Sequence, residues 1–275
     1  MKHFFTLLSF SLPLLLCAQS FEVNGITFEP RNSYSSEVAV TRGSRAYSGY
    51  VNIPSNVSHN GRNYTVSTIA DRAFKDSYLS GLSLPYSIST IGNEAFKGCR
   101  GLSRINLPSA LRSLGTSCFE DCTNLYAVEF GYCDLRSLPE RCFKGCSSLR
   151  TIRWPNYITS IGEACFQDCR SLTDVSIPYR VETLGRNAFR GCRSLNHVKL
   201  PQYLRRIESY CFGACYSLRK IVCESRNPYA VYDSSAFYSD GTNLFTQATL
   251  HVPRGSIRSY QSLIGWRDFK SIREE

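Results

Sequence analysis

Short stretches in which apolar and polar residues alternate recur along most of the chain. In residues 102–108 (LSRINLP), Ile105 and Leu107 are apolar while their neighbours are polar, and residues 172–178 (LTDVSIP) repeat this pattern. A period of two predicts a β-strand with one face toward a core and the other outward. Seven such stretches occur, and Pro follows five of them, as expected where a strand ends. They cover residues 79–85, 102–108, 125–131, 149–155, 172–178, 195–201 and 218–224.

A second motif, built around a phenylalanine, lies between these strands. Its pattern is that of residues 91–99 (IGNEAFKGC), and its copies start at residues 69, 91, 114, 138, 161, 184 and 207. Gly92 occupies the second position, but Pro139 occupies it in another copy, and Pro cannot adopt a positive φ. We therefore interpret the motif as a short helical turn that begins at this position, with the Phe and the preceding Ala or Cys pointing inward.

One strand with one turn cannot bury its apolar face alone, so units of about 23 residues are expected to stack into a continuous core. We predict a solenoid of about seven units over residues 67–223. Asn24-Gly25 and Asn60-Gly61 are hairpin-turn dipeptides, which predict a β-hairpin cap over residues 19–66. Residues 224–275 are expected to hold a degraded unit and a C-terminal cap.

Within that last region, a degraded unit is expected around Phe237, followed by a strand at residues 250–252 and a short helix near residues 256–263. Trp266 and Phe269 are expected to close the open end of the core, since solenoid ends must be covered.

These units resemble the BspA-like leucine-rich repeats of bacterial surface and secreted proteins. The resemblance rests on the pattern L-x-x-I-x-L-P followed by I-G-x-x-A-F-x-x-C-x-x-L, and on residues 60–74 and 249–272 at the two ends. It implies a leucine-rich-repeat solenoid of the α/β class dominated by β-structure. By association it implies adhesion or recognition outside the cell, and it implies no catalytic residues. Ser77 and Gly131 depart from the pattern, which usually has Cys and Pro there, as do the extra cysteines before several phenylalanines.

The N-terminus has the features of a signal peptide over residues 1–18. Lys2 precedes an apolar run at residues 4–16, and small residues follow it. Cleavage after Ala18 is favoured, and acylation of Cys17 in a lipoprotein is the alternative. The run is too short for a membrane anchor, and no other stretch is long enough for a span. We expect an exported bacterial protein that is secreted, periplasmic or associated with the cell surface.

The chain contains 13 cysteines, most of them in two columns of the repeat. The column three residues after Phe holds Cys99, Cys122, Cys146, Cys169, Cys192 and Cys215, and the column before Phe holds Cys118, Cys142, Cys165 and Cys211. Ala replaces Cys in the second column at Ala95 and Ala188, so this position requires a small buried residue, and free buried thiols are favoured. Disulfides are the alternative, because the exported space is oxidising. A zinc site is third, since histidines and a second close cysteine pair are missing.

Neither catalysis nor nucleic-acid binding is favoured by the residue pattern. The chain has none of the G-x-S-x-G, P-loop or H-E-x-x-H motifs, and the three histidines after the leader are scattered. The formal net charge of +10 permits binding to anionic glycans or acidic proteins, while export argues against nucleic acid. We therefore expect a non-catalytic protein without cofactor or metal, whose oligomeric state is open.

Two sets of residues are candidates for binding an extracellular protein or glycan. Outward strand positions are Arg104, Asn106, Glu129, Arg153, Asp174, His197, Lys199 and Lys220, and the tyrosines after the strands are Tyr86, Tyr132, Tyr157, Tyr179 and Tyr203. The mixed charges suit a protein or glycan, and Tyr and Arg are enriched at interfaces. Two alternatives remain open: the tyrosines only shield neighbouring units, or the protein is a structural envelope or display spacer without a specific ligand.

Overall fold

The computed structural model describes residues 19–231, 233–239 and 241–275. The predicted signal peptide at residues 1–18 lies outside the described residues. The described chain begins with six strands, which are β1 (Phe21–Val23), β2 (Ile26–Pro30), β3 (Glu37–Val40), β4 (Ser48–Asn52), β5 (Asn56–His59) and β6 (Arg62–Ile69). Strands β1 and β2 form one antiparallel hairpin and β5 and β6 another. Positive φ at Asn24, Gly25, Asn60 and Gly61 confirms the two predicted hairpin turns.

From β7 onward, long and short strands alternate along the chain. The long strands are β7 (Tyr78–Ser83), β9 (Arg104–Leu107), β11 (Ala127–Phe130), β13 (Thr151–Arg153), β15 (Asp174–Ser176), β17 (His197–Leu200) and β19 (Lys220–Cys223). The short strands are β8 (Thr90–Ile91), β10 (Ser113–Leu114), β12 (Ser137–Leu138), β14 (Ser160–Ile161), β16 (Thr183–Leu184) and β18 (Arg206–Ile207).

The long strands pair in parallel and in register with the equivalent strands of neighbouring units. Strands β9, β11 and β13 form one sheet, in which Ile105, Val128 and Ile152 are aligned. Strands β15, β17 and β19 continue into β22 (Thr249–Val252) and β23 (Ser271–Glu274). We call the outward side of these strands the strand face. The predicted alternation is confirmed in β9, although Ala127, expected to point outward in β11, is buried.

The short strands build a second parallel ladder that was absent from the sequence interpretation. Strands β12, β14, β16 and β18 pair in order, and β8 and β10 continue the sheet of β3 and β6. Their outward residues are mostly Ser or Thr. Ser137, Ser160 and Thr183 are in register on consecutive units. We call this row the hydroxyl row.

The phenylalanine motif is not a helical turn, and that prediction was wrong. The fourth and eighth positions of the motif have a positive φ, as in Glu94 and Gly98. The amide N–H of Phe96 donates to the carbonyl oxygen of Cys118 at 2.8 Å, and that of Gly98 donates to Glu120 at 2.8 Å. A helix satisfies these groups within its own segment, whereas here they bond to the next unit. The turns therefore form a third hydrogen-bonded side of the solenoid.

Close contact between successive turns explains the small residue at the second motif position. A Cβ atom on Gly115 would lie 2.3 Å from the backbone nitrogen of Asn93 in the preceding unit. As expected from the sequence, this glycine does not need a positive φ. Pro139 and Glu208 occupy the same position in two other units, so the restriction depends on the local spacing between turns.

Among the described residues, eight stacked phenylalanines form the centre of the core: Phe74, Phe96, Phe119, Phe143, Phe166, Phe189, Phe212 and Phe237. Neighbouring ring centroids are 5.1–6.0 Å apart, and the planes of the pairs differ by 4–11°. This geometry confirms the inward Phe and the leucine-rich-repeat solenoid, and it adds the degraded unit around Phe237 to the stack.

The C-terminal region closes the end of this stack. It contains the 3₁₀ helix Ser234–Ala236, β20 (Tyr238–Ser239), β21 (Thr242–Asn243), α1 (Leu244–Gln247) and α2 (Ile257–Gln261). Trp266 and Phe269 lie 5.4 and 5.2 Å from the Phe237 ring, which confirms their predicted role. The predicted strand and helix correspond to β22 and α2. None of the helices in the described part of the chain has the length and apolar character that crossing a bilayer requires.

Candidate binding surface

Most charged candidates on the strand face contact an oppositely charged neighbour. Arg104 lies 3.4 Å from Glu129, and His197 lies 3.6 Å from Asp174. Lys199 binds Glu224 at 2.5 Å, and Lys220 binds Glu275 at 2.6 Å. The first three pairs join neighbouring strands, because cross-strand partners lie within reach of each other, whereas Lys220–Glu275 reaches across β22, which lies between β19 and β23. The acidic partners Glu224 and Glu275 were missed because they stand at strand ends rather than at central outward positions.

Arg153 and Asn106 complete the predicted set on the strand face. Arg153 is exposed and lies in register with Glu129 on the neighbouring strand, while Asn106 is on the other side of Glu129. The carboxylate of Glu129 is within ion-pair distance of Arg104. Within the described residues, Arg153 forms no such pair, so it is the cation of this face whose charge is least compensated.

The five predicted tyrosines are exposed beside the ends of the long strands. Tyr132 is 77% exposed, whereas Tyr157 is 39% exposed because two arginines pack on it. Aligned on the buried residue that follows, Tyr132, Tyr179 and Tyr157 occupy three neighbouring positions rather than a single column. Together with Tyr86 and Tyr203 they form what we call the tyrosine edge, between the strand face and the hydroxyl row.

Arginines on the tyrosine edge stack on its rings, and sequence reasoning did not identify them. The guanidinium groups of Arg136 and Arg180 lie 5.5 and 5.6 Å from the centroid of Tyr157. Arg180 also lies 5.1 Å from the Tyr179 ring, and its Nε–H donates to the Tyr179 hydroxyl at 2.6 Å. We call Arg136, Tyr157, Tyr179 and Arg180 the Arg–Tyr stack. Contacts of this kind contribute about 0.5–1 kcal/mol at exposed sites.

Charged residues on the turn side form a different arrangement. Glu94 accepts from Lys75 at 2.9 Å and from Arg72 at 2.8 Å, and these hydrogen bonds lower the pKa of its carboxyl to about 2. Glu120 accepts from Lys97 at 2.8 Å and from Lys144 at 3.2 Å. We call this set the turn ladder. The charges of Lys97 and Lys144 are therefore neutralised by Glu120, which belongs to the unit between them.

All twelve cysteines in the described part of the chain are buried and free. In the column after Phe, each thiol donates to the carbonyl oxygen of a Phe one unit back, as Cys122 does to Phe96 at 3.0 Å. Burial raises the pKa of Cys99 and Cys215 to about 12, so these thiols stay protonated at neutral pH. The described residues contain no cluster of three or more metal-ligating side chains.

Comparison with known proteins identifies the repeat. A family model described as BspA type leucine rich repeat region matches residues 67–177 and 136–252, with six copies. No curated protein sequence matches the chain.

Solved structures show the same fold. A leucine rich cell surface protein from Faecalibacterium prausnitzii is 18% identical, with a TM-score of 0.53 over 94% of this chain and 95% of that chain. A leucine rich repeat protein from T. pallidum is 23% identical, with a TM-score of 0.54 over 89% of this chain and 96% of that chain. Because the family model covers more than half of the sequence and these structures share the fold, this chain belongs to the BspA-type leucine-rich-repeat family.

Proposed function

We propose that the protein is a non-catalytic extracellular module that recognises a protein or glycan partner through the strand face and the tyrosine edge. The observation that carries the proposal is the exposure of Tyr86, Tyr132, Tyr179 and Tyr203 along one edge of the solenoid. Tyr offers a large amphipathic contact area and is enriched among residues that dominate binding energy.

The shape of the molecule supports a macromolecular partner. Stacked units present an extended surface, and residues from several units contribute to the same side. The tyrosine edge spans units from Tyr86 to Tyr203, which suits a ligand that crosses many strands rather than a small molecule enclosed in a cleft.

The state of the nucleophilic groups supports a role without catalysis. Burial raises the pKa of the cysteine thiols, and a catalytic thiol needs the opposite shift and some exposure. His197 faces Asp174 on the strand face, away from the thiols of the core. Export, proposed from residues 1–18, would bring the edge into contact with extracellular partners.

A structural spacer is the second candidate function, and the ion pairs of the strand face favour it. Lys199–Glu224 and Lys220–Glu275 already neutralise much of the charge that a ligand would contact. A surface whose charges are paired internally and whose tyrosines only shield the neighbouring units would need no partner.

The two functions are distinguished by a binding experiment. The protein without residues 1–18 is tested against extracellular matrix proteins and against neutral and acidic glycans, at low and high salt. If the edge binds, Tyr132→Ala and Tyr203→Ala weaken a saturable interaction at least about tenfold, while Tyr34→Ala, at a still more exposed tyrosine in the N-terminal region, does not. Absence of saturable binding across the panel would reject the binding function in favour of the spacer.

A further inference from the structure

The Arg–Tyr stack carries positive charge that no acidic residue neutralises. In the described chain, neither Arg136 nor Arg180 lies within 4.0 Å of a carboxylate, although both are exposed. The nearby Glu182 is within 3.5 Å of Arg205 instead. Asp134 occupies the position equivalent to Tyr157 in the preceding unit, and it forms no ion pair with any described residue. The stack therefore keeps two uncompensated guanidinium groups on one edge.

The rings hold these guanidinium groups and leave their terminal NH₂ groups without a hydrogen-bond partner among the described residues. The Tyr157 ring is contacted by two guanidinium groups, that of Arg136 from the preceding unit and that of Arg180 from the following unit. Arg180 is further fixed by the hydrogen bond from its Nε–H to the Tyr179 hydroxyl. The terminal NH₂ groups of Arg180 remain available to solvent. A guanidinium held in one plane loses less freedom when it binds, and its paired N–H groups match the two oxygens of a carboxylate.

A row of hydroxyl groups runs next to the stack. Ser137 follows Arg136 directly in the chain, and it is in register with Ser160 and Thr183 in the second ladder. Hydroxyl groups donate and accept hydrogen bonds, so the hydroxyl row can meet a ligand that itself carries many hydroxyls. An acidic peptide offers carboxylates, but each of its backbone groups either donates or accepts, whereas each hydroxyl of a sugar can do both.

The spacing favours a ligand with a repeating structure. Arg136 and Arg180 are two units apart, and successive phenylalanine rings in this part of the core are 5.3–5.4 Å apart. The hydroxyl row repeats once per unit over the same distance. An extended polysaccharide offers ring faces, hydroxyls and acidic groups at comparable regular intervals along its length.

We propose that the Arg–Tyr stack and the hydroxyl row bind a linear polysaccharide that contains uronic acids and runs along the solenoid axis. Its carboxylates bind Arg136 and Arg180, and its hydroxyls bind Ser137, Ser160 and Thr183. This inference rests on the proposed binding function and specifies its ligand class and the side of the tyrosine edge that is used.

The test uses oligosaccharides of galacturonate, alginate and hyaluronan, each compared with its carboxyl-reduced form, and polyglutamate as an acidic peptide. The probes are titrated against the protein without residues 1–18. We expect saturable binding of at least one uronate oligosaccharide, and loss of at least about tenfold in affinity when it is carboxyl-reduced. The double variant Arg136→Gln/Arg180→Gln should lose a similar amount.

The matched control, Arg141→Gln/Arg170→Gln, removes the same charge from the turn side, where both arginines face carboxylates. It should change affinity less than about threefold. Equal loss in both double variants, equal binding of polyglutamate, or no binding of any uronate oligosaccharide would overturn the proposal. A protein partner that is sensitive to Tyr132→Ala but not to Arg136→Gln/Arg180→Gln would overturn it while leaving the broader binding function standing.

Discussion

Two charged regions of the solenoid, the turn ladder and the Arg–Tyr stack, use their cations in opposite ways. In the turn ladder, Glu120 lies between Lys97 and Lys144 of the two adjacent units, and its side chain is only 8% exposed. In the Arg–Tyr stack, Tyr157 lies between Arg136 and Arg180, and no carboxylate of the described residues lies within 4.0 Å of either guanidinium group. A carboxylate fixes a cation and cancels its charge, whereas an aromatic ring fixes it and leaves the charge available.

This difference separates residues that hold units together from residues that can hold a ligand. The ion pairs of the turn ladder connect neighbouring units. They are already formed in the folded protein, so their cations are not available to a ligand. The guanidinium groups of the stack can still form charge-assisted hydrogen bonds with an added anion. Changes on the turn side and in the core should therefore lower stability, and changes on the edge should leave stability nearly unchanged.

The largest effect on stability is expected from the core that both regions share. Phe143→Ala removes a fully buried ring from the centre of the stack and should lower the free energy of unfolding by about 3–5 kcal/mol. Tyr132→Ala, in the same unit but on the edge, should change it by less than about 0.5 kcal/mol. Urea unfolding followed by circular dichroism measures both. Equal losses would mean that the edge tyrosines are structural, and the comparison would fail.

A smaller effect is expected from the thiols behind the turns. Cys122→Ala removes the hydrogen bond to the Phe96 carbonyl and should cost about 1–2 kcal/mol. Cys118→Ala removes an equally buried sulfur without that hydrogen bond, at a position where other units have Ala, and should cost less. The same unfolding assay compares the two variants. If Cys118→Ala were the more damaging, the thiol bonds to the Phe carbonyls would not be the reason for the Cys column.

The smallest effect on the turn side should come from the ion pairs, and it should depend on pH. The hydrogen bonds from Lys75 and Arg72 lower the pKa of Glu94 from 4.5 to about 2, so its contribution is present above pH 4.5 and is lost as the pH falls toward 2. At pH 7, Glu94→Gln should cost at most about 1 kcal/mol, because the pairs are partly exposed.

The pH dependence is checked by unfolding in urea at several pH values between 7 and 2. The difference between the wild-type protein and Glu94→Gln should shrink as the pH decreases over that range. Glu163→Gln is the control, since Glu163 is exposed and forms no ion pair within the described residues. A difference that stayed constant down to pH 2 would show that the ion pairs do not stabilise the folded state.

The outlines of the repeat could be predicted because they depend on residues close together in the chain. Alternation in the stretch around Ile105 places that residue inside, and Asn-Gly dipeptides specify hairpin turns whatever surrounds them. The regular recurrence of Phe indicated that the units stack on one another, since no single unit buries its own apolar face. The candidate tyrosines were placed along one edge for the same reason: they follow the strand ends directly.

The conformation of the phenylalanine motif could not be predicted locally. Alternate N–H groups of the motif, such as those of Glu94, Phe96 and Gly98, bond to carbonyl oxygens of the next unit, so the choice between a helical turn and a cross-unit ladder depends on the neighbour. The eighth motif position shows the same dependence. A Cβ on Gly98 would lie 2.2 Å from the Asp76 carboxylate, and a Cβ on Gly145 would lie 2.3 Å from that of Asp121. Asp and Gly alternate at this position from one unit to the next, because each Asp side chain fills the space that a Cβ on the following Gly would need.

The sequence by itself determined the family, the solenoid, the inward and outward positions of most strands, and the small residues required beside Phe. Only the tertiary structure decided which cations are neutralised and which stay available. Lys97 and Arg136 are both basic residues outside the buried positions of the pattern, yet Lys97 contacts Glu120 and Arg136 contacts Tyr157. Those partners are 21–23 positions away in the chain and become neighbours only when units stack. The candidate site is therefore a property of contacts between units, whereas the fold follows from the periodicity within each one.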